Sequence, residues 1–344
     1  MNSRVNAYDV AKLAGVSQST VSRVLNNYSH VSKSTREKVL VAINELGFTP
    51  DEIARSLANK KTHTIGLIVG DISNPFYAET AHIILREARD YDYDVIIVDT
   101  DSDDSSFDRS IQTLIGKRVD GIIIASVRKK NQKVSELFQK KFPLIFYNRK
   151  VDDDGQANFV VIDNELGAKM AVNHLIQLNH QRIAYISGPC RYSTFNDRFL
   201  GYKSALNENG IAFDKRLVYQ DEFSYEKIFE FSLRLMRDQN RPTSFFASTD
   251  HIALAVMDAA AQNGFHIPYD ISIIGFDDIN IASSPYIGLS TVSQQKKKMA
   301  SLVLKKIISI IDKKNDELVQ ITLEPELLVR KTTGMNTRAG SKGV

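Results

Sequence analysis

The sequence predicts an all-α head joined to an α/β body of two doubly wound parallel-sheet lobes, and three observations carry that reading. In the first 50 residues apolar side chains recur at helical spacing and are interrupted at Gly15 and Gly47. From Thr64 onward short apolar runs alternate with helical stretches, the pattern of a parallel sheet covered on both faces. Residues 64–70 and 182–188 open two such series in comparable places, so the α/β unit occurs twice. A chain of 344 residues can hold this architecture, and at 43% hydrophobic and 25% charged its composition is that of an ordinary globular protein, neither fibrous nor disordered.

In the head, Val10, Leu13 and Ala14 mark one short helix, Gly15 breaks it, and Ser17 caps a second in which Val21, Val24 and Leu25 form an apolar stripe. Closing the two apolar faces makes a helix-turn-helix whose second helix is free to enter a major groove. Gln18, Ser19, Ser22 and Arg23 lie on or near that free face. Gln and Arg pair bidentately with adenine and guanine edges, and hydroxyls suit bases or phosphates. Ser17, Thr20 and Asn26 complete the candidate DNA-binding set of this stretch. A third helix over about 33–46 is capped by Ser32, shows Val39, Leu40, Ile43 and Leu46 on one face, and ends at Gly47.

Pro50 opens residues 51–59, with two carboxylates in the first turn. So short a helix is unstable alone and is expected to order only against DNA or a second copy of itself. The whole formal excess of charge, +3, falls within the first 60 positions, which suits phosphate contact by the head alone.

The body is predicted to hold strands at 64–69, 95–98, 121–125, 144–146, 160–162, 183–187, 244–247 and 271–276. Helices fill about 76–91, 106–118, 131–141, 165–178, 196–209, 224–237, 250–263 and 295–312. Open parallel sheets bind ligands at the carboxyl ends of their strands, and a cleft between two lobes collects two such edges.

Head, short Pro-initiated segment and two α/β lobes, in that order, resemble the LacI/GalR family of bacterial transcription repressors over nearly the whole chain. The motifs that carry the likeness include Asp9-Val10-Ala11-Lys12-Leu13-Ala14-Gly15-Val16-Ser17, Thr20-Val21-Ser22-Arg23-Val24-Leu25-Asn26, Ile53-Ala54-Arg55-Ser56-Leu57, Asp71-Ile72-Ser73-Asn74-Pro75-Phe76-Tyr77 and Gly275-Phe276-Asp277-Asp278. The resemblance implies a hinge helix over 51–59 that sits in the minor groove, where Ala54 and Leu57 contact DNA and Leu57 wedges between base pairs at the centre of a palindromic operator. Asp51-Glu52 departs from the family pattern and is expected to weaken or retune operator affinity.

The body resembles periplasmic sugar-binding proteins, which implies lobes of the periplasmic-binding-protein type closing on a small polar effector. Positions matching the family's effector contacts are Asp71, Phe76, Tyr77, Asn148, Arg198, Phe223, Thr249, Asp277 and Gln294. A carboxylate and a guanidinium suit vicinal hydroxyls, and aromatic faces suit the CH surface of a sugar. Thr249 stands where the family often has Asn, and Arg149 follows Asn148, a hint that the ligand carries an acidic group.

The expected division is a helix-turn-helix domain at 1–49, hinge and linker at 50–61, an effector-binding and dimerisation body at 62–334, and a flexible tail at 335–344. Within the body the first lobe takes about 62–161 and 292–322, the second about 162–291 and 323–334. The expected partners are double-stranded operator DNA, a sugar or sugar derivative and a second copy of the chain. With one cysteine, Cys190, and neither a membrane-length apolar run nor a signal peptide, the expected address is the cytoplasm. No metal site, cofactor or catalytic constellation is expected: the calcium-like run from Asp99 has Asp104 and Ser110 where a loop needs Gly and Glu. Two alternatives stay open at this point, a sugar-binding or sugar-transforming protein with an incidental helical head, and a regulator that answers a phosphocarrier protein.

Overall fold

A computed structural model of the chain describes residues 5–25, 28, 30–48, 61–101, 103–152, 155–313 and 317–337. It forms two compact units, residues 1–62 and 63–344.

The first unit holds three helices among its described residues, α1 (Ala7–Ala14), α2 (Gln18–Leu25) and α3 (Lys33–Leu46). Asn6 and Asp9 start α1 by a reciprocal cap: the Asn6 side chain accepts from the backbone of Tyr8 and Asp9, and Asp9 accepts from the Asn6 N–H. Gly15 stops the helix in the left-handed conformation at φ 65, which any side chain would strain. The Ser17 hydroxyl accepts from the Thr20 N–H at 3.2 Å and opens α2, and Ser32 does the same for α3 through Thr35. Val10, Ala11, Val21, Val24, Val39, Ala42 and Phe48 make the core. Leu13 and Leu40, expected in the apolar faces, are instead about half exposed. At about 100° per residue, Val10, Ala11 and Ala14 share one arc of α1, and Leu13 falls outside it. Leu40 stands in the same relation to Val39, Ala42, Ile43 and Leu46 of α3.

The second unit contains two six-stranded sheets. The first comprises β1 (Thr64–Val69), β2 (Asp94–Asp99), β3 (Gly121–Ile124), β4 (Leu144–Tyr147), β5 (Phe159–Ile162) and β11 (Gln320–Leu323), all parallel, in the order β11-β5-β4-β3-β1-β2. Helices α4 (Pro75–Ala88), α5 (Asp104–Gly116), α6 (Gln132–Gln139) and α11 (Lys296–Ile311) belong to its lobe. The second sheet comprises β6 (Ile183–Ser187), β7 (Val218–Gln220), β8 (Ser244–Ala247), β9 (Ser272–Asp277), β10 (Ser290–Ser293) and β12 (Glu326–Leu328), in the order β12-β10-β9-β8-β6-β7. All its pairs are parallel except the edge pair β10–β12. Its helices are α7 (Asn164–Gln177), α8 (Ser193–Glu208), α9 (Tyr225–Arg237) and α10 (Asp250–Gln262).

The chain crosses between lobes three times: at Asp163 between β5 and α7, at Gln294-Gln295 between β10 and α11, and at Glu324-Pro325 between β11 and β12. Strands β7, β10, β11 and β12 are too short to stand out in the sequence as continuous apolar runs. Ser290-Thr-Val-Ser293 is buried through its hydroxyls, Thr291 donating to the Asp250 carboxylate at 2.6 Å, while β11 is a partly exposed edge. Among the described residues no helix is long and apolar enough to cross a membrane.

Candidate functional site

On α2 of the head, Ser17, Gln18, Ser19, Ser22 and Arg23 are exposed and Thr20 is half-buried. Val21 and Val24 point inward and so turn 18, 19, 22 and 23 to the outer side of the helix. The Ser17 hydroxyl lies 2.8 Å from those of both Ser19 and Thr20, so it orders the start of the helix as well as facing outward. Asn26, Ala54, Leu57 and the pair Asp51-Glu52 lie outside the described residues.

In the body, strand ends from both sheets converge. Arg198 on α8 is 1% exposed. Its Nε donates to Asn164 Oδ1 at 2.8 Å, and its Nη1 donates to the Ser248 carbonyl and, at 3.3 Å, to Asp277 Oδ1. The guanidinium lies 3.6 Å above the Phe276 ring. Asp277 closes β9, and its Oδ1 also accepts from Gln294 Nε2 at 2.6 Å. Arg198, Asp277 and Gln294 thus form one connected cluster.

Burial dominates the electrostatics of that cluster. It raises the Asp277 carboxyl to about 6 against the opposing pull of Arg198 and Gln294, and it lowers the Arg198 guanidinium although Asp277 holds it up. Both partners shift away from their charged forms, so desolvation outweighs their mutual attraction. Buried Asp250 beside them is also pushed well up, by desolvation first and by the Asp277 charge second. Asp277 is held at φ 121 and Asn148 at φ 65, backbone regions that non-glycine residues rarely adopt. Such strain gathers at functional sites.

Asp71, Tyr77, Phe223 and Thr249 line a space between the lobes of about 80 Å³, whose lining does not include Arg198, Asp277 or Gln294. Asp71 accepts from the Ser73 backbone and hydroxyl, and Thr249 caps α10. Phe223 is exposed and stacks on His251 with ring centroids 4.2 Å apart. Tyr77 is buried, and desolvation raises its hydroxyl. Asn148 lines a further opening of about 280 Å³ with Lys150, Asn164, Ser193 and Asp197. Phe76 lines neither space: it packs in the core against Tyr77 and Tyr147.

The lining also includes residues outside the candidate set. Tyr192 and Phe195 flank the guanidinium of Arg149, and His251 lies under Phe223. The lobes also touch beside the cleft, where Lys129 N–H donates to the Arg191 carbonyl at 2.9 Å and Lys150 N–H to the Ser193 hydroxyl at 3.0 Å. Glu79 on α4 accepts from the Asn280 N–H at 2.9 Å and pairs with Lys296. Glu79 carried no signal in the sequence.

Residues 6–51 match the family described as bacterial regulatory proteins, lacI family, and residues 172–333 match a periplasmic binding protein-like domain. Catabolite control protein A of Priestia megaterium is 34% identical over 330 residues, covering 96% of this chain and 99% of that protein. The ribose operon repressor of Haemophilus influenzae is 34% identical over 324 residues, covering 94% and 97%. Among solved structures, the lac repressor dimer bound to operator and the anti-inducer ONPF superposes with a TM-score of 0.84 at 28% identity, covering 96% of this chain and all of that one. With the helical head, the paired sheets and relatives aligned from end to end, the chain belongs to the lacI family of bacterial regulatory proteins.

Proposed function

We propose that the protein is a homodimeric, cytoplasmic repressor of a carbohydrate-utilisation operon, whose affinity for a palindromic operator is set by a small polyhydroxylated effector bound between the lobes. Its role is regulatory rather than catalytic. The observation that carries the effector half is the Arg198–Asp277–Gln294 cluster, buried at the strand ends at an electrostatic cost that a stability role does not explain. Gln294 Oε1 is buried without a hydrogen-bond partner, and vicinal hydroxyls would supply one while using the remaining donors of Arg198 and lone pairs of Asp277. In this reading Asp71, Tyr77, Asn148, Phe223 and Thr249 complete the effector surface and Phe76 supports Tyr77 from behind. On the head, Gln18, Ser19, Ser22 and Arg23 read the major groove, with Ser17 and Thr20 nearby for phosphates.

The neighbouring space of about 80 Å³ is roughly half of the ~150 Å³ that admits benzene in a protein interior. A sugar therefore enters only when lining side chains shift or the lobes part, which gives it different affinities for two arrangements of the body, the requirement for control.

Selection of random duplexes by the purified full chain should return a palindrome, and an Arg198→Ala variant should bind that palindrome while losing its response to sugars. Recovery of no sequence preference would sink the operator half, and a normal response in the variant would sink the effector half.

A further inference from the structure

Among the described residues, one charged group in the cleft has no ion-pair partner. Arg149, at the end of β4, is 7% exposed. Its guanidinium lies 3.9 Å from the centroid of the Tyr192 ring and 5.2 Å from that of Phe195, and Nη1 donates to the Ser126 hydroxyl at 2.8 Å. Its Nε is buried and has no hydrogen-bond partner. Among the described residues no carboxylate forms an ion pair with it; the acids nearby hold other groups. Asp71 is held by Ser73, Glu222 by Arg191, and Asp277 by Arg198 and Gln294. Arg149 also lies close enough to Arg198 to disfavour its charge.

A guanidinium cannot shed its proton to escape this situation. The aromatic ring offsets part of the desolvation, but the donor edge at Nε remains unused. Arg149 itself lines the small space that Asp71, Tyr77, Thr249 and His251 border. A guanidinium edge is shaped to take a planar carboxylate or a phosphate through parallel hydrogen bonds.

We propose that the effector is a polyol bearing an anionic group, a carboxylate or a phosphate, and that Arg149 supplies its counter-charge. Asp71 and the Arg198–Asp277 pair then take hydroxyls, which sets the orientation of the ligand with its anionic end toward Tyr192. The proposal rests on the reading of this cleft as the effector site.

The test measures the melting temperature of the full-length protein with neutral aldoses (D-glucose, D-ribose), the sugar acids D-gluconate and D-glucuronate, and the phosphates glucose 6-phosphate and ribose 5-phosphate. Ligand that binds only the native state raises the melting temperature. The expected result is a rise with at least one anionic member and none with its neutral parent, and the acid and phosphate arms separate the two groups. For that member, Arg149→Gln should weaken binding by about a hundredfold or more, with partial recovery in Arg149→Lys. The same Arg149→Gln protein should melt no lower than wild type without ligand, because it has lost an unbalanced charge; a purely structural Arg149 would give a lower melting point. Neutral sugars binding as tightly as their acids, or full affinity in Arg149→Gln, would overturn the proposal and leave the effector reading in place. If no member raises the melting temperature or alters operator binding, the effector reading fails and takes the proposal with it.

Discussion

Replacing Arg198 by Met, Asp277 by Asn, and then both, asks whether the buried pair is kept for a ligand or for the fold. In the wild type Asp277 titrates at about 6 instead of 3.8, chiefly because it is buried. Above pH 6 that difference weighs about 3 kcal/mol against the folded state. The sign follows from proton counting. Between pH 3.8 and about 6 the folded chain keeps a proton that the unfolded chain has lost, so this group's contribution falls as pH rises through that window and is level beyond it.

Arg198→Met removes the counter-charge, and the carboxyl answers by staying protonated, which at pH 7 limits the added electrostatic loss to about 1.4 kcal/mol. Asn164 Oδ1 and the Ser248 carbonyl lose their donor, adding about 1–3 kcal/mol, and the lost stack on Phe276 adds about 1–2 kcal/mol. The total is about 5 kcal/mol. Asp277→Asn strands a buried guanidinium, at about 3–5 kcal/mol. The double variant strands no charge and should lie within about 2 kcal/mol of wild type. At roughly 2–4 °C per kcal/mol, calorimetry should place each single variant about 10 °C below wild type and the double variant within about 5 °C of it. A double variant that loses the sum of the two single effects would refute the argument that burial outweighs the attraction of the pair.

Three further outcomes are expected. A Cβ at Gly201 would lie 2.2 Å from the Glu165 carbonyl oxygen, so Gly201→Ala should force α7 and α8 apart and lower stability by about 3 kcal/mol. An unchanged denaturation midpoint would show that the two helices yield easily. Glu79→Ala removes the acceptor for Asn280 and the partner of Lys296, and should change effector affinity several-fold in calorimetric titration although no cleft residue is altered; an unaltered affinity would mean that this bridge does not bias the lobes. Leu57→Ala should weaken operator binding and reduce DNA bending, and an unchanged bend would remove the wedge role.

The two sheets were legible because buried parallel strands such as Ile122-Ile-Ile124 and Phe245-Phe246 are continuous apolar runs. Strands β7, β10, β11 and β12 were not, because they are short and either lie at an edge or are buried through hydroxyls. Leu13 and Leu40 misled for a different reason: a hydrophobic residue near a helical stripe is not necessarily in it, and alanines at 11 and 42 hold the buried positions. In the cleft, sequence could name Arg198 and Asp277 but not their cost, which depends on burial. It could place Arg149 beside Asn148 but not show that the folded cleft gives it no ion-pair partner among the described residues. Glu79 was invisible because Asn280 and Lys296 lie some 200 residues further along the chain.

The geometry of the crossings suggests how a ligand of modest size acts on a large body. Gln294 is itself part of one crossing, and its neighbour Gln295, at φ 49, donates to the Glu324 carbonyl on another at 2.7 Å. Asn164, which holds Arg198, is the first residue of α7, directly after the crossing at Asp163. A ligand that bonds to Asp277 or Arg198 would therefore pull on groups tied to Gln294 and Asn164, and so act on the connections between the lobes as well as on their facing surfaces. A residue held at positive φ on such a connection, as Gln295 is, stores about 1–3 kcal/mol of strain that another arrangement of the lobes would release. Differential ligand affinity of the same size is then enough to choose between them.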